Sequence, residues 1–256
     1  MSGRVVIVTG GSRGVGRQIA MRFLGAGADV IICARNEPDG AVEDVGRVAE
    51  FVAADVREPD QVDAVVAAAV ARYGRLDILV NNAGGAPPAD SATVSPRFNE
   101  KVVALNLLAP MTFSQAANRV MQGQEHGGVI INIGSVSGTR ANPGGVAYGA
   151  AKAGLLNMTQ TLAVEYGPKV RVAALTVGMI VTDDAQLYYG DEDAMAAIGT
   201  TLAAGRMGET DDVAGVCLFL ASPLADWISG TSIEVHGGGS RPAYLEASTG
   251  EVVGEN

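Results

Sequence analysis

The sequence predicts an α/β fold of the doubly wound kind, a seven-stranded parallel sheet flanked by helices on both faces. Strand-like apolar runs alternate with runs of helical period along nearly the whole chain, the pattern of parallel βαβ units. The first of these strands opens directly into a glycine-rich turn and a helix. Hydrophobic residues make up 48% of the 256, enough for a large core, yet aromatics are only 5%, so Ala, Val, Leu and Ile must fill it. The 34 glycines are nearly twice the usual share of ~7% and lie scattered, which favours tight turns over a linker.

Arg4–Thr9 is apolar and β-branched, a buried strand. Residues 14–26 carry Val15, Ile19, Ala20, Phe23 and Leu24 at helical spacing. Residues 29–34 form a second strand, followed by a short, Gly-interrupted polar stretch, and residues 48–54 a third strand that ends at Asp55. A helix over 59–73 begins with Pro59 near the favoured first position. A fourth strand spans 76–80, and a loop with Pro87 and Pro88 follows. Residues 96–121 read as one long helix, kinked or interrupted near Pro110. A fifth strand (128–133), a second long helix (146–166), a sixth strand (170–175), a helix (211–221) and a seventh strand (232–235) complete the alternation. One domain is expected over residues 1–239, with a frayed polar tail over 240–256.

The net charge of −10, from 18 basic and 28 acidic residues, argues against nucleic acid and against an anionic membrane surface as partners. No apolar run reaches the ~18 residues of a membrane helix. Cys33 and Cys217 both sit in apolar runs and read as buried reduced thiols. The N-terminus enters a strand without a signal peptide, so a cytoplasmic location is expected. His126 and His236 are isolated and make no metal site, and no nucleophile elbow is visible.

Two constellations carry chemistry. The turn Thr9-Gly10-Gly11-Ser12-Arg13-Gly14-Val15-Gly16 joins a buried strand to a helix, the order that receives a dinucleotide pyrophosphate. Glycines let the backbone approach the phosphates, and the helix N-terminus offers free N–H groups. Tyr148 and Lys152 stand four residues apart on one helix, with Ser135 thirteen residues before Tyr148. Residues i and i+4 share a helix face. The Lys152 ammonium is therefore expected to lower the Tyr148 pKa toward the range of a working acid/base.

The spacing Gly10-xxx-Gly14-x-Gly16 resembles the turn of the short-chain dehydrogenase/reductase family, and four more motifs agree: Asn81-Asn82-Ala83-Gly84 after the fourth strand, Asn106 in the long helix, Ser135 after the fifth strand, and Tyr148-xxx-Lys152. The resemblance spans about residues 3 to 240 and points to the carbonyl reductase and 3-oxoacyl-[acyl-carrier-protein] reductase type. It implies a Rossmann-type fold and hydride transfer between a nicotinamide cofactor and a carbonyl or secondary alcohol. Tyr148 would be the acid/base, Ser135 would hold the carbonyl oxygen, Lys152 would also bind the nicotinamide ribose, and Asn106 would steady a water that refills protons. Cofactor contacts are implied for Gly10, Ser12, Arg13, Gly14, Val15, Gly16, Arg35, Asp55, Val56, Asn82, Ala83, Gly84, Tyr148, Lys152, Gly178, Ile180 and Thr182, with Asn81 as a further neighbour.

An acidic residue at the end of the second strand would hold the adenosine ribose of NAD(H). This chain has Ala34 and then Arg35, with Arg13 inside the turn. Arginine suits a 2′-phosphate, so NADP(H) is expected to be preferred, NAD(H) remaining possible. One departure from the family pattern is Val177, which stands where Pro is usual. The segment from Thr182 to Met207 and the loops 85–95 and 137–145 are expected to wall a pocket for a small-molecule carbonyl or alcohol, with the acids Asp183, Asp184, Asp191, Glu192 and Asp193 facing water. The long helices are expected to build a homodimer or homotetramer. The alternative is a non-catalytic dinucleotide sensor on the same fold, which the intact Tyr148, Lys152, Ser135 and Asn106 disfavour.

Overall fold

The computed structural model describes residues 1–242. Seven parallel strands form one sheet: β1 (Val5–Thr9), β2 (Asp29–Ala34), β3 (Glu50–Ala53), β4 (Ile78–Asn81), β5 (Gly128–Ile133), β6 (Val170–Val177) and β7 (Ser232–Val235). Their spatial order is β3-β2-β1-β4-β5-β6-β7, so the direction of winding reverses between β1 and β4. In such sheets ligands bind outside the carboxyl ends of the strands at that switch point.

Along β1 the side chains alternate between the two faces. Val5 and Ile7 join a core packed under α2 (Pro59–Tyr73), α4 (Ala109–Gly123) and α5 (Val146–Tyr166). Val6 and Val8 join a second core under α1 (Gly14–Gly25) and α8 (Thr210–Ala221). The apolar positions of α1 foreseen from the spacing divide accordingly: Ile19, Ala20, Phe23 and Leu24 are buried, while Val15 packs at the rim.

Several elements depart from the expectation. Between β2 and β3 the crossover is a small hairpin, Glu43–Asp44 paired with Arg47–Val48, in place of the helix that usually joins parallel strands. The expected 96–121 helix is three pieces: α3 (Pro96–Val103), a π-helical turn (Ala104–Leu108) and α4. Pro110 has no N–H to return to the carbonyl four residues back, and the Ala109 N–H instead reaches five residues back, to the Ala104 carbonyl. Strand β6 runs two residues further than foreseen, because Val177, unlike the proline usual there, can pair with Val235. The segment after β6 holds α6 (Ala185–Tyr189) and α7 (Glu192–Thr200), and its ends are tied by a short parallel pair, Ile180–Val181 with Gly208–Glu209. Of the expected tail, residues 243–256 lie outside the described residues. Its first residues are paired: Ser240 bridges Leu202 and the Arg241 N–H donates to the Thr201 carbonyl at 2.9 Å.

Candidate active site

The glycine turn, Asn82–Gly84, the Ser135 loop and Gly178 follow the carboxyl ends of the adjacent strands β1, β4, β5 and β6, and Arg35 and Asp55 follow those of β2 and β3. The glycine turn follows β1, and its compactness depends on absent side chains. A Cβ on Gly16 would overlap the Gly10 carbonyl oxygen and the Asn82 carboxamide, and one on Gly11 would overlap Ile32. The turn is braced from β4: the Thr9 hydroxyl accepts from the Asn82 and Ala83 N–H groups, both at 3.0 Å, and the Asn82 carboxamide donates to the Thr9 carbonyl at 2.9 Å and the Gly10 carbonyl at 3.2 Å. The N-cap Arg13 gives α1 no side-chain cap, and the first turn of α1 has no acidic residue. Its Gly14 N–H donates 3.3 Å to a carboxylate oxygen of Asp183, while Arg13 forms an ion pair with Asp184. The turn thus holds one carboxylate with the kind of backbone donor that a dinucleotide's diphosphate needs and another with a guanidinium suited to a further phosphate, and the residues fit that cofactor.

Asp183, Asp191, Glu192 and Asp193 are exposed, as expected, and Asp184 is half-buried. Asp183 and Asp184 in addition contact the turn, more than 160 residues away in sequence, a charge complementarity that the local polar pattern does not show.

At the chemical end, the π-helical turn aims Asn106 inward, where it is fully buried. Its carboxamide donates to the carbonyls of Val102 at 2.9 Å and Gly85 at 3.0 Å and accepts from the Gly85 N–H at 2.8 Å. It therefore clasps the strand-end segment Gly84–Gly85. A Cβ on Gly84 would stand 2.8 Å from the Asn106 oxygen and 3.3 Å from the Lys152 ammonium, so that glycine is what lets the three groups meet.

Ser135 caps the short turn Val136–Gly138, accepting from the Ser137 N–H at 3.1 Å. Gly138 lets this loop lie on α5: a Cβ there would come within 2.8 Å of the Lys152 and Ala153 backbone. That approach sets the Ser135 hydroxyl near the Tyr148 phenol, close enough to influence its titration. The Lys152 ammonium lies 5.6 Å from the centroid of the Tyr148 ring and donates to the Ile133 carbonyl at 2.7 Å. Burial pushes the Lys152 pKa down to about 8. Burial also raises the Tyr148 pKa above its ordinary value, the Ser135 hydroxyl pulls it down, and the neighbouring Tyr189 and Tyr188 add to the rise. This reverses the expected direction: burial is the largest cause, and the Lys152 ammonium directs its hydrogen bond to Ile133 instead.

The other expected cofactor residues differ in their surroundings. Val56 is buried in the core beneath α2, so its side chain serves packing. Asp55 is gripped by Arg57 through two bonds, 2.9 and 2.5 Å, and this guanidinium holds its carboxyl at about 2; the exposed Arg35 contributes to the same lowering. Thr182 stands beside the turn, 3.8 Å from where a Gly14 Cβ would be. Gly178 donates to the Val235 carbonyl at 3.0 Å, and Ile180 is buried. Ser12 and Val15 lie on the turn and the first residues of α1, half-buried.

Asn81 is corrected. It turns away from the crevice, donating to Asn132 at 2.9 Å and Ser114 at 3.1 Å, while Asn132 donates to Thr159 at 2.9 Å. This buried network ties β4 and β5 to α4 and α5. Asn132, a lone polar residue inside an apolar strand, was the visible signal for it. A narrow crevice of about 10 Å³, lined by Pro87, Ser91, Val94, Phe98, Asn99 and Tyr148 among others, opens on one side of Tyr148.

The family model described as enoyl-(acyl carrier protein) reductase matches residues 10–240. An uncharacterized oxidoreductase of Mycobacterium tuberculosis (strain CDC 1551 / Oshkosh) is 36% identical over 240 residues, covering 92% of this chain and 91% of its own. 3-oxoacyl-[acyl-carrier-protein] reductase FabG of Escherichia coli (strain K12) is 36% identical over 241 residues, 92% of this chain and 97% of its own. Among solved structures, the aldohexose dehydrogenase of Thermoplasma acidophilum superposes with a TM-score of 0.86 at 30% identity, covering 98% of this chain and 97% of its own. The chain belongs to the short-chain dehydrogenase/reductase family. It is accordingly an oxidoreductase of the CH–OH class that works with a nicotinamide dinucleotide.

Proposed function

We propose that the protein is an NADP(H)-dependent carbonyl reductase in which Tyr148 is the general acid/base. The observation that carries this is the meeting of Tyr148, Ser135 and Lys152 beside the glycine turn, at the carboxyl edge of the sheet. The glycine turn and Lys152 would hold a nicotinamide dinucleotide, which when bound would supply or accept the hydride. Ser135 donates a hydrogen bond to the substrate's carbonyl oxygen and orients it. As negative charge grows on that oxygen, Tyr148 delivers its proton there; in the reverse direction its oxygen takes the alcohol proton. The raised pKa keeps the phenol protonated, the form that reduction requires. Lys152 holds a proton beside the phenol and a hydrogen-bonding head for the ribose. Asn106 keeps Gly84–Gly85 in place against Lys152.

Arg35, exposed at the end of β2 with no acidic residue before it, supports the NADP(H) preference, as does Arg13. The mostly apolar residues beside Tyr148 support a neutral carbonyl, with a 3-oxoacyl thioester, a ketosteroid and a simple ketone all open. A single catalytic unit over 1–239 accords with one seven-stranded sheet running from Val5 to Val235. Exposed Leu108, Val146 and Val164 near or on the long helices support a homodimer or homotetramer. Two free, buried cysteines accord with a cytoplasmic setting.

The test is a panel of carbonyls and alcohols assayed with NADPH and NADH by absorbance. Carbonyl-dependent oxidation of NADPH, with kcat/KM at least about tenfold above that with NADH, is expected, since a bidentate phosphate grip is worth over 1.4 kcal/mol. A preference for NADH would remove the cofactor assignment, and no turnover of any carbonyl or alcohol would remove the catalytic one.

A further inference from the structure

The segment that leaves β6 touches the glycine turn at two points. Thr182 packs over Gly14; the next residue, Asp183, takes the Gly14 N–H; and Asp184 takes the Arg13 guanidinium. Helix α1 has no acidic residue in its own first turn and no side-chain cap, so a carboxylate from a distant segment supplies what the helix lacks. The Asp184 that holds Arg13 is also the N-cap residue of α6, and the Thr182 carbonyl accepts from the Ala185 N–H at 2.9 Å. The contact and the start of the segment carrying Tyr188 and Tyr189 are therefore one mechanical unit.

We propose that Asp183 and Asp184 form a carboxylate latch on the cofactor turn: they occupy its anion-binding groups, and an entering dinucleotide must displace them, which frees the segment from Thr182 to Met207 to rearrange. The latch rests on the reading of the turn as the cofactor site. It assigns the two acids different effects. Asp183 competes for a backbone N–H that any dinucleotide's diphosphate uses, so it weakens NADH and NADPH alike. Asp184 competes for Arg13, a cation suited to the 2′-phosphate, so it weakens NADPH more than NADH.

The test is direct titration of the full chain with NADPH and with NADH, followed by nucleotide fluorescence and by calorimetry without substrate. Asp183→Ala should tighten both nucleotides about three- to fivefold, the range of an exposed charged contact removed from competition. Asp184→Ala should tighten NADPH by a similar factor and leave NADH within about twofold. Glu192→Ala, which removes an exposed acid from the same segment, should change neither. Unchanged or weaker binding by both latch variants overturns the latch while leaving the cofactor site standing. Equal tightening by Glu192→Ala also overturns it, since net charge alone would then account for the effect. Failure of the unaltered protein and of every variant to bind either nucleotide overturns the cofactor reading, and the latch with it.

Discussion

Lys152 lies 5.6 Å from the centre of the Tyr148 ring, yet its hydrogen bond runs to the Ile133 carbonyl. The i, i+4 spacing on α5 puts the two side chains on one face, as the sequence leads one to expect. It does not make the phenol acidic, because both groups lie in a desolvated corner and each is pushed toward its neutral form.

That desolvation has a measurable sign. The Lys152 pKa is about 8 in the folded protein against an ordinary 10.5. Below about pH 8 both folded and unfolded chains carry the proton, and the fold bears the full penalty of a buried charge. From there to about pH 10.5 the unfolded chain binds more protons, so this group makes stability rise with pH, by an amount on the order of 3 kcal/mol at most. In Lys152→Met this contribution is absent. Urea denaturation of both proteins at about pH 7 and about pH 9.5 should show the parent gaining on the variant as pH increases. A stability difference independent of pH would mean that the ammonium is not desolvated.

Gly16 is held against the Gly10 carbonyl and Asn82 by van der Waals contact. Gly16→Ala should shift the turn, lower stability by about 1–3 kcal/mol and weaken nucleotide binding in parallel. A thermal melt with and without NADPH reads both effects. A variant that melts and binds like the parent would show that the turn has slack where close packing is described.

Asn132 joins Asn81 to Thr159 without touching the crevice. Asn132→Ala leaves buried partners unsatisfied and should cost about 1–3 kcal/mol. Asn132 stands on β5 just ahead of Ser135, so its loss should also loosen the Ser135 loop and lower kcat more than it raises KM. Chemical denaturation alongside steady-state kinetics tests this; a neutral substitution would contradict the network's role.

Arg35→Asp should exchange a phosphate grip for a group that accepts from ribose hydroxyls. The ratio of kcat/KM for NADPH over NADH should fall by about tenfold or more. A ratio that stays the same would place the 2′-phosphate elsewhere.

Much of this architecture is readable from residue order, for reasons visible at particular positions. Pro59 starts α2 and Gly74 ends it in a left-handed conformation, so its bounds could be stated in advance. The apolar run Val129-Ile130-Ile131 between Gly128 and Gly134 marks β5 just as clearly. What could not be read lies below or beyond local pattern. The hairpin strands of Glu43–Asp44 and Arg47–Val48 are too short to show a period. The π-helical turn at Asn106 follows from how Pro110 is accommodated, since Pro110 signals a break and leaves its form open. Ser135, Tyr148 and Lys152 were identifiable from the combined motifs that the chain shares with its family. The inward turn of Asn81, the grip of Arg57 on Asp55 and the contact of Asp183 with Gly14 depend on side-chain partners that spacing does not encode.

Whether the Tyr148 hydroxyl carries the proton of the reaction is read from Tyr148→Phe. The variant keeps the ring against Lys152 and removes only the oxygen. Measured with a reducible carbonyl, its kcat should drop by about 10²- to 10⁴-fold, the worth of a positioned acid, while the dissociation constant for NADPH stays within about twofold. Turnover equal to that of the parent protein, with nucleotide still bound, would contradict that role.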